Sequence, residues 1–227
     1  MSLTDTQRDD VLWAARAGDV EALTETLAEA KATLETALES RNDSNNTPLH
    51  FSAANGHIEF VRHVLPSANL RILLSQNDSG NTPLHWAAFN GHEEVVEALV
   101  SAIEAAEKAD AKLATELRAA EDAKEAERHS AAADKSLPAE EIAAEAARHA
   151  EQQRERAIWD VRNNAGHGPM SEAQMSDNEK IVQLLLGRLA QGDDALVAGG
   201  APVPPSSDAA GDAAGDATNG VSRLDIS

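Results

Sequence analysis

The sequence contains no cysteine and no tyrosine, only three phenylalanines and three tryptophans in 227 residues, and 19 Lys plus Arg against 39 Asp plus Glu. Each shortage excludes something. Without cysteine there is no disulfide framework, no thiolate nucleophile and no thiolate zinc site. With 42% apolar but only 3% aromatic residues, the chain can hold one modest core plus appendages. The scarcity of cations leaves a formal charge of -20, which disfavours nucleic acid and anionic membrane and favours a strongly basic protein partner. No run of about 18 apolar residues suggests a membrane span, and Met1 to Asp10 carries no apolar stretch of the secretory type, so the expected location is cytoplasmic and nuclear. Walker loops, dinucleotide fingerprints and nucleophile elbows are missing as well, so no catalytic residue, cofactor or metal is expected and the chain does not read as an enzyme.

What is present is a repeat. Thr47-Pro48-Leu49-His50 returns 35 residues later (82 minus 47) as Thr82-Pro83-Leu84-His85, and the sequels Ala53 to Glu59 and Ala88 to Glu94 also match. A period near this length, opened by that tetrad, specifies the ankyrin unit of a turn and two antiparallel helices. Thr47 and Thr82 stand where a helix N-cap needs a side-chain oxygen, and Pro48 and Pro83 stand at the first helical position, where a missing N–H costs nothing. Gly56 and Gly91 follow one short helix later, where a left-handed residue lets the chain reverse. Apolar residues at helical spacing (Ile58, Val61, Leu65; Val95, Val96, Leu99) then define the second helices. Asn45 stands where the next copy has Gly80, and it is read as a left-handed turn residue.

A single such unit cannot bury its apolar face, so two clear copies imply degenerate ones. Leu12 to Leu23 aligns without a gap on His50 to Val61, with Gly18 on Gly56, and Asn163 to Met170 aligns on Asn77 to Leu84, with Pro169 on Pro83. Ile181, Val182 and Leu185 then match Val95, Val96 and Leu99, and Asp177 takes the place of Gly91. The expectation is an all-α ankyrin solenoid over 10–190 with repeats near 10–40, 42–75, 77–100 and 159–190, preceded by a flexible 1–9. Within it, 101–157 is dense in Ala, Glu, Lys and Arg and contains no glycine. It reads as an inserted charged helical hairpin, broken near Pro138 and extending from the stack as a solvated spacer or, alternatively, a second binding arm. Its apolar residues (Ile103, Leu113, Leu117, Ile142) are too sparse for a long seam. From 191 to 227 the composition turns to Gly, Ala, Pro and Asp, an acidic tail expected to be disordered.

The recurring His50, His57, His85 and His92 have no ligand-cluster spacing and read as residues that tie neighbouring turns together. Function is instead expected on the surface such stacks leave variable, the turn tips and the exposed face of each first helix. The tips give Asp43, Ser44 and Asn46, then Asp78, Ser79 and Asn81. The helix positions give Arg16, Asn55, Phe89, Asn90 and Met175. Phe89 is the outlier, a large aromatic where a binding anchor would sit, with Trp86 beside it.

The runs Asn77 to Ala87 and Ala53 to Arg62, with Ala15 to Asp19 and Arg162 to His167, resemble those of the fungal ankyrin-repeat chaperones of the third small-subunit ribosomal protein. The resemblance covers roughly 10–100 and 159–187. It implies a monomer in a one-to-one complex, holding the basic helical region of that new ribosomal protein in its groove and escorting it during ribosome biogenesis. An Ala-rich insertion is not part of the family pattern, and the tail is sparser in carboxylates than the acidic segment the family carries. Composition alone supports the same class, a non-catalytic acidic scaffold, and leaves a generic ankyrin adaptor in signalling as the alternative.

Overall fold

The computed structural model describes residues 2–132 and 156–197. Eleven α-helices occur among the described residues: α1 (Asp5–Ala17), α2 (Val20–Ala30), α3 (Leu34–Leu38), α4 (Pro48–Ala54), α5 (Ile58–Val64), α6 (Leu70–Leu73), α7 (Pro83–Phe89), α8 (Glu93–Ala109), α9 (Ala111–Ala132), α10 (Pro169–Met175) and α11 (Glu179–Val197). They pair as α1/α2, α4/α5, α7/α8 and α10/α11, and successive pairs stack: α1 on α4 on α7 on α10, and α2 on α5 on α8 on α11. The last pair docks on the third although the insertion separates them in sequence. The core is a layer of leucines and β-branched residues between the two rows, including Leu23, Leu49, Phe60, Leu84, Leu99 and Leu185, none more than 1% exposed.

Two devices join each repeat to the next. At the helix–helix reversals, Gly56 (φ 73°) and Gly91 (φ 80°) adopt the left-handed conformation, as Asp177 (φ 56°) does in the last repeat. A Cβ on Gly56 would lie 2.6 Å from the His92 ring, and one on Gly91 would lie 2.9 Å from the Asn178 side chain. Glycine is therefore needed twice over, for its φ and for the close approach. Those neighbours reach back to the open end of the preceding first helix. His57 Nε2 is 2.8 Å from the Arg16 carbonyl oxygen, His92 Nε2 is 3.0 Å from that of Ala54, and Asn178 Nδ2 donates to Ala88 and Phe89 at 2.9 Å. Carbonyls that a helix C-terminus leaves unpaired are thus satisfied by the next repeat.

The second device sits in the turns. Asn42, Asn77 and Asn163 each accept two backbone N–H groups of their own turn, at 2.8–3.1 Å. Asn77 and Asn163 also donate to the side chains of Asn46 and Asn81 in the turn before, at 2.8 and 2.9 Å. Backbone bonds from Asp78 N–H to Ser44 O and from Asn164 N–H to Ser79 O complete a turn-to-turn ladder.

Three boundaries differ from the sequence reading. Residues 1–9 were expected to be flexible, but α1 already begins at Asp5, because Thr4 and Gln7 form a reciprocal capping box and Leu3 is buried. The tail was expected to be disordered from 191, but α11 continues to Val197, and 198–227 lie outside the described residues. The insertion does not project from the stack along its first arm. Helix α8 overruns its repeat to Ala109, the chain bends at Asp110, and α9 folds back on α6 and α8, burying Ala114 and covering Leu113 and Leu117. Its charges are then used inward. Arg128 donates to the Asn163 carbonyl (3.0 Å), Lys124 to Gln76 (2.6 Å), and Arg118 to Glu107 and the Arg156 carbonyl (both 2.6 Å). Pro138 and Ile142 lie outside the described residues.

The return from the insertion also explains a departure from the tetrad. Gly168 stands where Thr47 and Thr82 stand, and the Asp160 carboxylate, paired with Arg156 and Arg162, fills the space a side chain there would need. Burial holds the Asp160 carboxyl above its ordinary value despite the two arginines.

Candidate functional site

The inward turn of each first helix decides which side chains face outward. Leu49 and Leu84 point into the core, so residues two and five positions later share the opposite face. Read along the stack, that face carries Trp13 and Arg16, then Phe51 and Ala54, then Trp86 and Phe89, then Glu172 and Met175. Trp13 and Met175 are 62% exposed and Phe89 is 44% exposed, while Phe51 and Trp86 are half-buried. An apolar row thus runs over all four repeats on an acidic protein.

The two middle repeats treat their aromatics differently. In the second, the Arg16 guanidinium from the preceding helix lies over the Phe51 ring, 4.6 Å from its centroid, in cation–π geometry. In the third, the position equivalent to Arg16 is Ala54, too short to cover a ring. Trp86 instead meets its own Phe89 edge-on, with centroids 6.3 Å apart and planes at 85°. Beside this pair, between α7 and α10, opens a notch of about 150 Å³ lined by Asn81, His85, Trp86, Phe89 and Glu172.

The expected tip residues divide into two groups. Asp43, Ser44, Asp78 and Ser79 are exposed, with the Asp78 carboxylate accepting from Asn45 Nδ2 at 2.5 Å. Asn46 and Asn81 are half-buried and give their side-chain oxygens to the next turn, so their polar groups serve the ladder. Asn55 and Asn90 are exposed but donate to the carbonyls of Phe51 and Trp86 at 2.8 and 3.0 Å, which closes their own helices.

The histidines of the tetrads have structural work to do. His50 Nδ1 accepts the Thr47 N–H at 3.1 Å, and its Nε2 lies 2.9 Å from the Asn81 carbonyl oxygen. His85 repeats this with Thr82 (3.1 Å) and His167 (3.1 Å). Burial pushes both rings down to about 4, so they stay neutral, Nε2 donating and Nδ1 accepting.

Two site features escaped the sequence reading. Glu172 takes the place of Trp86 in the weak fourth repeat, so register could have found it, but nothing in its own surroundings marked it out. The stacking of Arg16 on Phe51 has no sequence signal beyond the residue types.

Known proteins place this architecture. The sequence model of the family described as Ankyrin repeats (3 copies) matches residues 11–112. The chain is 41% identical over 69 residues to the Ankyrin repeat-containing protein YAR1 of Saccharomyces cerevisiae, covering 30% of this chain and 34% of that one. It is 43% identical over 66 residues to an ankyrin repeat-containing protein of Schizosaccharomyces pombe, covering 29% of this chain and 42% of that protein. The matched segments thus span well under half of either curated relative. Among solved structures, a chain of the crystal structure of the yeast ribosomal protein Rps3 in complex with its chaperone Yar1 superposes with a TM-score of 0.54 at 26% identity, over 82% of this chain and 95% of that one. With four helix pairs stacked in register on the tetrads and reversal residues of the sequence, the chain has the ankyrin-repeat fold.

Proposed function

We propose that this protein is a dedicated chaperone of a basic small-subunit ribosomal protein, the counterpart of Rps3, acting by binding rather than by catalysis. The observation that carries the reading is the likeness, over 82% of the chain, to a structure of Rps3 with its chaperone Yar1. The charge of -20 and the row of exposed apolar side chains on the first helices support it. In this reading a basic helical segment of the partner lies along that row. Trp86, Phe89 and Met175 give apolar contact, Asp43 and Asp78 at the tips attract cations, and Arg16, Ser44, Asn46, Asn55, Ser79, Asn81 and Asn90 frame the groove. One chaperone holds one ribosomal protein, takes it up in the cytoplasm and accompanies it to the nucleus.

The test is to mix the purified proteins and measure the mass of the product by light scattering during size exclusion, together with the ribosomal protein's solubility at low salt. A one-to-one complex that keeps the ribosomal protein in solution is the expected result. Failure to associate at micromolar concentration sinks the proposal and leaves the generic adaptor in its place.

A further inference from the structure

Resting on the partner class proposed above, we propose that the notch between α7 and α10 is a receptor for a single arginine or lysine side chain, with Trp86 as its aromatic wall and Glu172 as its anion. Three observations converge on it. First, an aromatic of this column already holds a cation, taken from the preceding repeat: Arg16 of the first repeat lies over Phe51 of the second, 4.6 Å from the ring centroid. Moving one repeat along replaces the ring by Trp86 and the arginine by Ala54, so no arginine at that position reaches the larger and more electron-rich ring from the preceding helix, and the notch lies on its α10 side. Second, the next residue in that column is Glu172, whose side chain is only 13% exposed. Asn163 Nδ2 donates to its Oε1 at 2.8 Å and His167 Nδ1 lies 3.3 Å from the same oxygen, while Oε2 takes no bond among the described residues. The carboxylate is thus fixed in orientation and retains acceptor capacity. Third, the space is the right size: about 150 Å³, with Phe89 in its lining.

An aliphatic stem packed on Phe89 and a cation between an indole face and a fixed carboxylate satisfy both halves of a Lys or Arg side chain. Exposed carboxylates such as Asp43 and Asp78 lack such a wall. The notch therefore sets the register of a basic helix, and the tips supply only long-range attraction.

The test uses the full chain and two probes. In the first, a blocked arginine amide is titrated into isotope-labelled protein while the indole N–H signal of Trp86, assigned with Trp86→Phe, is followed. A saturable shift is expected, with affinity weakened about tenfold in Glu172→Gln, which keeps an oxygen for Asn163 and His167. In Glu172→Lys, which puts a cation in place of the anion in the notch itself, the shift is lost. An indole signal that does not move, or that moves alike in all three proteins, overturns the proposal. In the second probe the purified ribosomal protein replaces the amide. If the parent binds it and Glu172→Gln binds equally well, the notch is overturned while the chaperone reading stands. If the parent fails to bind it but the amide titration behaves as expected, the notch stands and the partner assignment falls.

Discussion

Substituting Gly56 by alanine tests how the repeats are held together. At φ 73° an L-residue costs about 1–2 kcal/mol on backbone grounds alone. The added methyl would also sit 2.6 Å from the His92 ring, so the ring must move and release its bond to the Ala54 carbonyl. Loss of such a bond is worth about 1 kcal/mol, more if the carbonyl stays dry. The sum is about 2–4 kcal/mol. Gly166 is the internal control, because it has φ 83° but nothing within 4 Å of its Cβ position. Gly166→Ala should lose only the backbone part. With a urea slope of about 1–3 kcal/mol per molar, Gly56→Ala should lower the denaturation midpoint by roughly 1 M or more, and clearly further than Gly166→Ala. In a His92→Ala background the methyl has room, so the cost of Gly56→Ala should fall to that of the control. Equal losses for the two glycines, or an unchanged cost in the His92→Ala background, would refute the inter-repeat latch.

Three further outcomes follow from the same geometry. The unfolded chain titrates His50 and His85 near 6.5, whereas the folded chain keeps them neutral down to about 4. Their contribution is thus complete above pH 6.5 and is lost as pH falls towards 4. At pH 5 the loss is about 2 kcal/mol per ring (6.5 minus 5, at about 1.4 kcal/mol per unit), softened by Asp160, whose raised value acts in the opposite sense. A urea midpoint that stays level from pH 7 to 4.5 would contradict this. Gly168→Thr, which restores the tetrad residue, should destabilise the fourth repeat by about 1–3 kcal/mol by colliding with the Asp160 carboxylate, and Asp160→Ser should relieve part of it; thermal melting of the single and double variants decides. Glu121→Ala removes a carboxylate that is 12% exposed, pairs with Lys124 and Arg128 and accepts from the Arg162 N–H. It should cost about 1–3 kcal/mol and raise amide exchange along α9, whereas a free-standing spacer would show neither change.

The stack was readable because its determinants are local. The reversal glycines, Asp177 in their register and left-handed Asn45 (φ 59°) announce themselves by residue type at a fixed spacing. The packing of α9 was not readable, since Arg118, Lys124 and Arg128 look like any solvated helix face. Their acceptors are largely backbone carbonyls and side chains more than 30 residues away, which leave no trace in a hydrophobic pattern. The same holds for Asn42, Asn77 and Asn163. Their recurrence was visible, but the bonds that make them turn organisers cross from one repeat to the next. On the candidate face, Phe89 stood out as a large aromatic at a variable helix position, and both it and Met175, named only by register, are exposed. Glu172 looked like one carboxylate among many until the fold set it against Trp86.

The central claim, that a basic helical partner docks on the first-helix face, is tested most directly by association and dissociation kinetics with the purified small-subunit ribosomal protein. Rim carboxylates accelerate encounter and a buried aromatic slows escape, so two classes of variant should separate. Asp43→Asn combined with Asp78→Asn should slow association and flatten its dependence on salt. Phe89→Ala should leave association nearly unchanged and speed dissociation by about tenfold, the kinetic equivalent of the 1–2 kcal/mol expected of an anchoring residue. Parent-like rates in both variants would contradict the assignment of binding to this face.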